Sequence, residues 1–215
     1  MSLQRISFPD RESWLEGRSR QGLGASEVAA ACGMSPWTTR NELWEVKVGV
    51  RKPKDIAGNA EVRRGTNMEG AVRDFFIALH PEYSVEHHPF DILYQSERPF
   101  LFATLDGELL DGDGRKGILE IKTAAPNGKS EWAKWDGRAP DHYYLQTLGQ
   151  LMATGYSFVV LQAALWSRNG DITLKDPLLI ERDEHREDLA WVLQQVTEFW
   201  TCVLTGKRPG LTIRF

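Results

Sequence analysis

The sequence predicts an α/β fold of the α+β type, a mixed central sheet flanked by helices. Three observations carry that expectation. Helical apolar patterns come first, strand-like runs separated by Gly/Asp turns follow, and the chain closes on a helix, two further strands and a long amphipathic helix. The Asp-Gly-Asp-Gly run at 111–114 is a hairpin signal between two of those strand-like runs.

The elements are read in order. Ser26 opens a short helix that Gly33 ends. Ser35-Pro36 makes a turn, and Thr39 with Glu42 has capping-box spacing before a helix that stops at Gly49. Residues 50–60, polar and holding Pro53 and Gly58, read as a loop. A third helix spans about 61–80, with an apolar stripe of Val72, Phe75, Phe76 and Leu79, and Pro81 ends it. Residues 84–95, 100–110 and 117–123 read as strands. Asp141 caps a helix that runs to Gly155, and two strands follow within 157–166 and 171–180. The last helix, 183–205, places Leu189, Val192, Val196, Phe199 and Val203 on one stripe. No linker or repeat interrupts the chain, so residues 1–215 are expected to form one domain.

Composition narrows the class. With 41% hydrophobic and 26% charged residues this is the make-up of a globular protein with a sizeable core. No apolar run approaches the ~18 residues a bilayer span needs, and no signal-peptide core opens the sequence, which leads to an expectation of cytoplasmic location without a membrane partner. Cys32 and Cys202 are far apart and have no metal-ligand spacing, so both read as small core residues. The net charge of −4 does not advertise a polyanion partner. Its distribution is uneven: residues 1–80 carry 12 Lys and Arg against 10 Asp and Glu, the remainder 14 against 20.

Asp106, Glu120 and Lys122 carry the chemistry. Glu120 and Lys122 are two apart on a strand and share a face. Asp106 ends a neighbouring strand, with a spacer of 13 residues before Glu120, and pairing through the 111–114 hairpin would make the two carboxylates neighbours. Two hard oxygen ligands on a rigid sheet suit Mg²⁺ or Mn²⁺. Such an ion lowers the pKa of a water and stabilises charge on a phosphate, while Lys122 would position that water or hold the phosphate. Taken alone the pattern is also that of an ordinary Asp-Gly hairpin and the wet face of a strand.

Seven segments occur together in order: WLEGR at 14–18, GASEVA at 24–29, RRGTNMEGAVRDFF at 63–76, LDG at 105–107, LEIKT at 119–123, YYLQTLGQ at 143–150 and IERDE at 180–184. On these the chain resembles the lambda-exonuclease (YqaJ-like) family of phage-type recombination nucleases, in the PD-(D/E)xK superfamily. Leu105 stands where that superfamily has proline. The resemblance implies a restriction-endonuclease-like sheet and a Mg²⁺-dependent exonuclease, with Mn²⁺ as a substitute and two ions per site. It implies that Asp106, Glu120 and the backbone carbonyl of Ile121 hold metal, that Lys122 is the catalytic lysine, and that Glu69 and Gln146 join the site. Glu69 has a plain alternative, a surface helix residue paired with Arg73. Arg18 and Ser26 are implied to hold a 5′-terminal phosphate, Ser26 at a helix start with free amides. Arg20 is the substitute for Arg18, because one extra residue separates Arg18 from Ser26.

The resemblance further implies action on double-stranded DNA ends, 5′ to 3′ and processive to mononucleotides, a homotrimeric ring, and a single-strand annealing protein as partner in recombination. The alternatives are a restriction-like endonuclease with the same core and an inert protein that binds DNA ends. Histidines 80, 87, 88 and 142 find no ligand cluster and are set aside. Trp37, Trp132 and Trp135 lie in loop-rich stretches where indoles would stack on unpaired bases, and Lys129 and Lys134 are candidate phosphate contacts.

Overall fold

The structure, a computed structural model, describes residues 2–54, 58–167 and 169–210. The chain begins with β1 (Leu3–Ser7) and α1 (Arg11–Gln21), whose first turn is capped by Asp10 accepting from the Ser13 amide at 2.8 Å. Neither announces itself in sequence, since α1 buries no side chain and so has no apolar stripe. β2 (Leu23–Gly24), a 3₁₀ turn (Ala25–Glu27) and α2 (Val28–Ala31) follow. α3 (Arg40–Lys47) has the expected Thr39/Glu42 capping box, and Gly49 beyond it has a φ of +80°. Of the 50–60 loop, residues 55–57 lie outside the described residues.

α4 (Ala60–Leu79) starts on Asn59, whose side chain accepts from the Glu61 amide at 2.8 Å. Its stripe is narrower than expected: Val72 and Phe76 are buried, but Phe75 and Leu79 face outward. The expected strands then appear in pieces: β3 (Ser84–Glu86), β4 (Asp91–Gln95), β5 (Leu101–Ala103), β6 (Gly107–Leu110) and β7 (Lys116–Ala124). The breaks have a physical reason. Beside the expected central mixed sheet, which contains β3, β6 and β7, there is a second, four-stranded sheet in the order β1-β4-β5-β2. The chain crosses between them at 87–90, where Pro89 has no N–H for a ladder, and again at 104–106.

After β7 come α5 (Lys129–Trp132), a second 3₁₀ turn and α6 (Asp141–Thr154). Asp141 is the first residue of α6 and not its cap, which falls on Pro140, while Gly155 ends the helix in the left-handed region at φ +76°. β8 (Phe158–Trp166) runs parallel to β7. The expected strand at 171–180 divides into β9 (Ile172–Leu174) and β10 (Leu178–Glu181), both antiparallel to β8. α7 (Arg186–Thr205) buries Leu189, Val192, Val196 and Phe199.

The larger sheet has the order β10-β8-β7-β6-β3, with β9 also on β8. Val72 and Phe76 of α4 pack on one face, against Leu119, Ile121 and Val160. Leu145 and Leu148 of α6 pack with α2, α7 and Ile118 on the other. The result is helix–sheet–helix layering around β7, which has a helix on each side.

Candidate active site

The site is built where β7 outruns its neighbour. β6 pairs with β7 only as far as Gly107 opposite Leu119, so the residues of β7 beyond Leu119 have no β6 partner. Asp106 sits one residue before β6, in register with Glu120, and its Oδ2 accepts the Ile121 amide at 2.7 Å. In an extended strand the amide and carbonyl of one residue point to the same side. The Ile121 carbonyl therefore also faces the Asp106 side. Arg73 of α4 fixes the same turn from the other direction, donating to the Asp106 carbonyl at 2.6 Å.

Glu120 is only 2% exposed. Being on the α6 face, it is gripped by that helix: Gln146 donates to Oε1 at 2.6 Å and Gln150, one turn on, to Oε2 at 2.5 Å. Lys122 pairs with Glu120 Oε1 at 2.5 Å and donates to the Gln146 side-chain oxygen at 2.9 Å. Its ammonium also lies 4.8 Å from the centre of the Tyr143 ring. Burial alone would lower the Lys122 pKa, but Glu120 and Asp106 outweigh it and hold it above the usual value.

The carboxylates crowd one another. Burial pushes Asp106 well above the usual carboxylate range, and the charges of Glu120 and Glu69 push it further. Glu69 is raised by burial and then by Glu120, with Lys122 and Arg73 opposing. It lines the same cleft as Lys122, Ile121 and Ser26. Its helix is seated closely on β7, because a Cβ on Gly65, one turn before Glu69, would lie 2.7 Å from the Thr123 hydroxyl. The Arg73 guanidinium donates to the Asp106 carbonyl, so its charge reaches Glu69 from within the site.

At the other end, Arg18 is drawn toward the cleft. It donates to the Thr104 hydroxyl at 2.7 Å and lies 3.4 Å from the Ser26 hydroxyl, with its guanidinium over the rings of Trp14 and Phe102. Burial lowers its pKa, against the opposing charge of Glu27. Glu27 is engaged elsewhere, by the Gly24 amide and by Lys47. Arg20 is not brought to Ser26 as Arg18 is: it pairs with Glu16 on the exposed side of α1. Ser26 is not a helix cap either. Gly24 occupies that position, and Ser26 lies inside the 3₁₀ turn with its hydroxyl toward Arg18.

A model of the YqaJ-like viral recombinase domain matches residues 13–157, well over half of the chain and all the groups just described. The chain belongs to the YqaJ-like viral recombinase family. No curated protein matches it. Among solved structures, this YqaJ-like chain is similar to an alkaline exonuclease, LHK-Exo, from Laribacter hongkongensis, with 21% identity, a TM-score of 0.66, and 91% of this chain covering 94% of that one. A phage-related exonuclease from Haemophilus somnus 129PT is similar at 11% identity and a TM-score of 0.55, with 86% of this chain covering 96% of that one. At these identities the likeness shows a shared fold.

The donor set fits a divalent ion. Among the described residues, no three His, Cys, Asp or Glu side chains form a ready-made ligand cage. Mg²⁺ does not need one, since it keeps several waters and takes one or two carboxylates. Asp106, Glu120 and the Ile121 carbonyl are hard oxygens on one rigid edge, and the repulsion felt by Asp106 is what a cation relieves. Gln150, the less secure of the two glutamines in the 143–150 segment, joins the site beside Gln146, whereas Arg73 and Tyr143 escape a reading for charged ligands. Gln150 and Tyr143 have a weak sequence signal, their spacing of four and three residues from Gln146 on one helix face. Arg73 has the same spacing from Glu69.

Proposed function

We propose that this chain is a Mg²⁺-dependent nuclease that hydrolyses phosphodiesters at the ends of double-stranded DNA, acting as one domain over residues 1–215. The observation that carries the reading is the convergence of Asp106, Glu120, Glu69 and Lys122 at the open end of β7. Mg²⁺, with Mn²⁺ as a substitute, would be held by Asp106, Glu120 and the Ile121 carbonyl. When bound it supplies Lewis acidity to a phosphodiester and lowers the pKa of a water.

The rest is the work of the chain's own groups. The Ile121 amide orients Asp106 through one of its two carboxylate oxygens. Gln146 and Gln150 hold the Glu120 carboxylate by one oxygen each. Lys122, kept charged by its acidic neighbours, is a point charge for a phosphate oxygen. Arg18 with Ser26 forms the stop for a terminal 5′-phosphate, and this gives the 5′ to 3′ direction. Thr104, the hydroxyl partner of Arg18, is two residues from Asp106, so stop and cutting site share one short backbone segment, at most about 7 Å long. That the two similar structures are exonucleases supports the same reading. A homotrimeric ring, two ions per site, processive release of mononucleotides and an annealing partner extend it on family grounds.

Linear duplex labelled separately at its 5′ and 3′ ends tests this, with and without Mg²⁺ and beside a circular duplex. The expected result is Mg²⁺-dependent release of 5′ label as mononucleotide, intact circles, and no release by Asp106→Ala. Cut circles would favour the endonuclease reading, and unchanged release by Asp106→Ala would remove the metal site.

A further inference from the structure

A second cleft, of about 540 Å³, adjoins the first and shares Trp37, Glu61, Thr123 and Tyr143 with it. The Tyr143 ring is a shared wall. One contact is with the Lys122 ammonium, and around it stand Trp37 at 6.0 Å, Trp135 at 5.4 Å and His142 at 4.1 Å between ring centres. Trp37 stands edge-on to His142 at 4.6 Å and lines both clefts. It is 61% exposed, an unusual state for the largest apolar side chain, whereas Trp135 is buried and Trp132 half-buried. Of the three indoles marked in sequence, only Trp37 is free to receive a ligand face.

We propose that this cleft is a nucleobase subsite, in which Trp37 stacks an unpaired base of the strand whose phosphate lies at Lys122. Two further observations point to a base and not to backbone. First, the charged lining is balanced: Arg64, Lys134 and Arg138 are matched by Glu61, Glu131 and Asp141. A neutral planar group suits a balanced lining, whereas a strand of phosphates selects a surface of net positive charge. Second, two buried ring nitrogens of the lining, His142 Nε2 and Trp166 Nε1, have no hydrogen-bond partner. A base edge offers donors and acceptors to both. Stacking on aromatic faces is tolerant of sequence, which suits a site that must accept every base in turn.

The subsite rests on the nuclease reading only for the position of the phosphate. Its test is therefore a binding measurement, made in EDTA so that nothing is cut. The probe is a 5′-phosphorylated duplex carrying 2-aminopurine at the 5′-terminal nucleotide, compared with one that is abasic there. Trp37→Ala is expected to weaken the first by about tenfold, within the range for one aromatic–base stack, and to leave the abasic duplex unchanged. Trp37→Phe should retain most of the affinity and the quenching of 2-aminopurine. Equal losses on both duplexes, or no loss on either, would overturn the subsite. Quenching of Trp37 by free deoxyadenosine monophosphate but not by the duplex would overturn it as a site for the strand. Release of nucleotides by the wild type in Mg²⁺ is scored separately, so failure of the nuclease reading and failure of the subsite give different results.

Discussion

Lys122 and Arg18 are both cations withdrawn from water at the same cleft, and they are partnered in opposite ways. Lys122 meets a carboxylate at 2.5 Å and two glutamine side chains close around the pair. Arg18 meets two hydroxyls and two aromatic faces. Their pKa values move accordingly, Lys122 above its usual value and Arg18 below. A cation already neutralised is held in place for chemistry. A desolvated cation without a carboxylate is a receptor for an anion that arrives from outside.

The largest change should come from breaking the neutralised pair. Lys122→Met is expected to lower nucleotide release by at least about a thousandfold, the scale for loss of a transition-state charge contact. It also strands Glu120, so chemical denaturation should show a stability loss of about 3 kcal/mol, the low end for a split buried pair. The same substitution at the other end should separate binding from stability. Arg18→Met strands no carboxylate, so its unfolding midpoint should stay within error of wild type. Its affinity for a 5′-phosphorylated end should fall by roughly 10–100-fold, as for a lost charged hydrogen bond, with no change for a 5′-hydroxyl end. A parallel loss on both ends would make Arg18 a structural residue.

The smallest effect reads the field of Lys122 directly. His142 is pushed down from 6.5 to about 4, first by burial and then by the charges of Lys122 and Lys134, with Asp141 opposing. Between those values the unfolded chain binds the extra proton, so stability is full above pH 6.5 and is lost as pH falls toward 4. His142→Asn should flatten that part of the stability profile. In Lys122→Met the His142 resonance should titrate at a higher pH by NMR, and an unmoved titration would mean that burial alone sets it.

Much of this was legible in the amino-acid order, and what was not has a common cause. Thr39 and Glu42 announce their helix because both halves of the capping interaction lie within four residues. The 111–114 turn announces the β6–β7 hairpin, and with it the juxtaposition of Asp106 and Glu120. By contrast α1 has no buried side chain, and β1 is paired only with β4, some ninety residues away, so neither leaves a local pattern. The two-sheet architecture is hidden because Pro89 and Thr104 mark crossings between sheets that only the folded chain defines. In the site, acids and lysine are visible by type. Gln150 and Arg73 act through amide and backbone contacts that any polar helix surface resembles.

Position 65 has a consequence for how this sequence can drift. Glycine there leaves only 2.7 Å between a would-be methyl and the hydroxyl of Thr123. The separation between the helix of Glu69 and the strand of Glu120 is thus set by two residues that bear no acid. Size at 65 and size at 123 are one inherited quantity divided between two sites. A lineage that enlarges the first must shrink the second, and homologues should show the two positions changing in tandem while the acids beside them stay fixed.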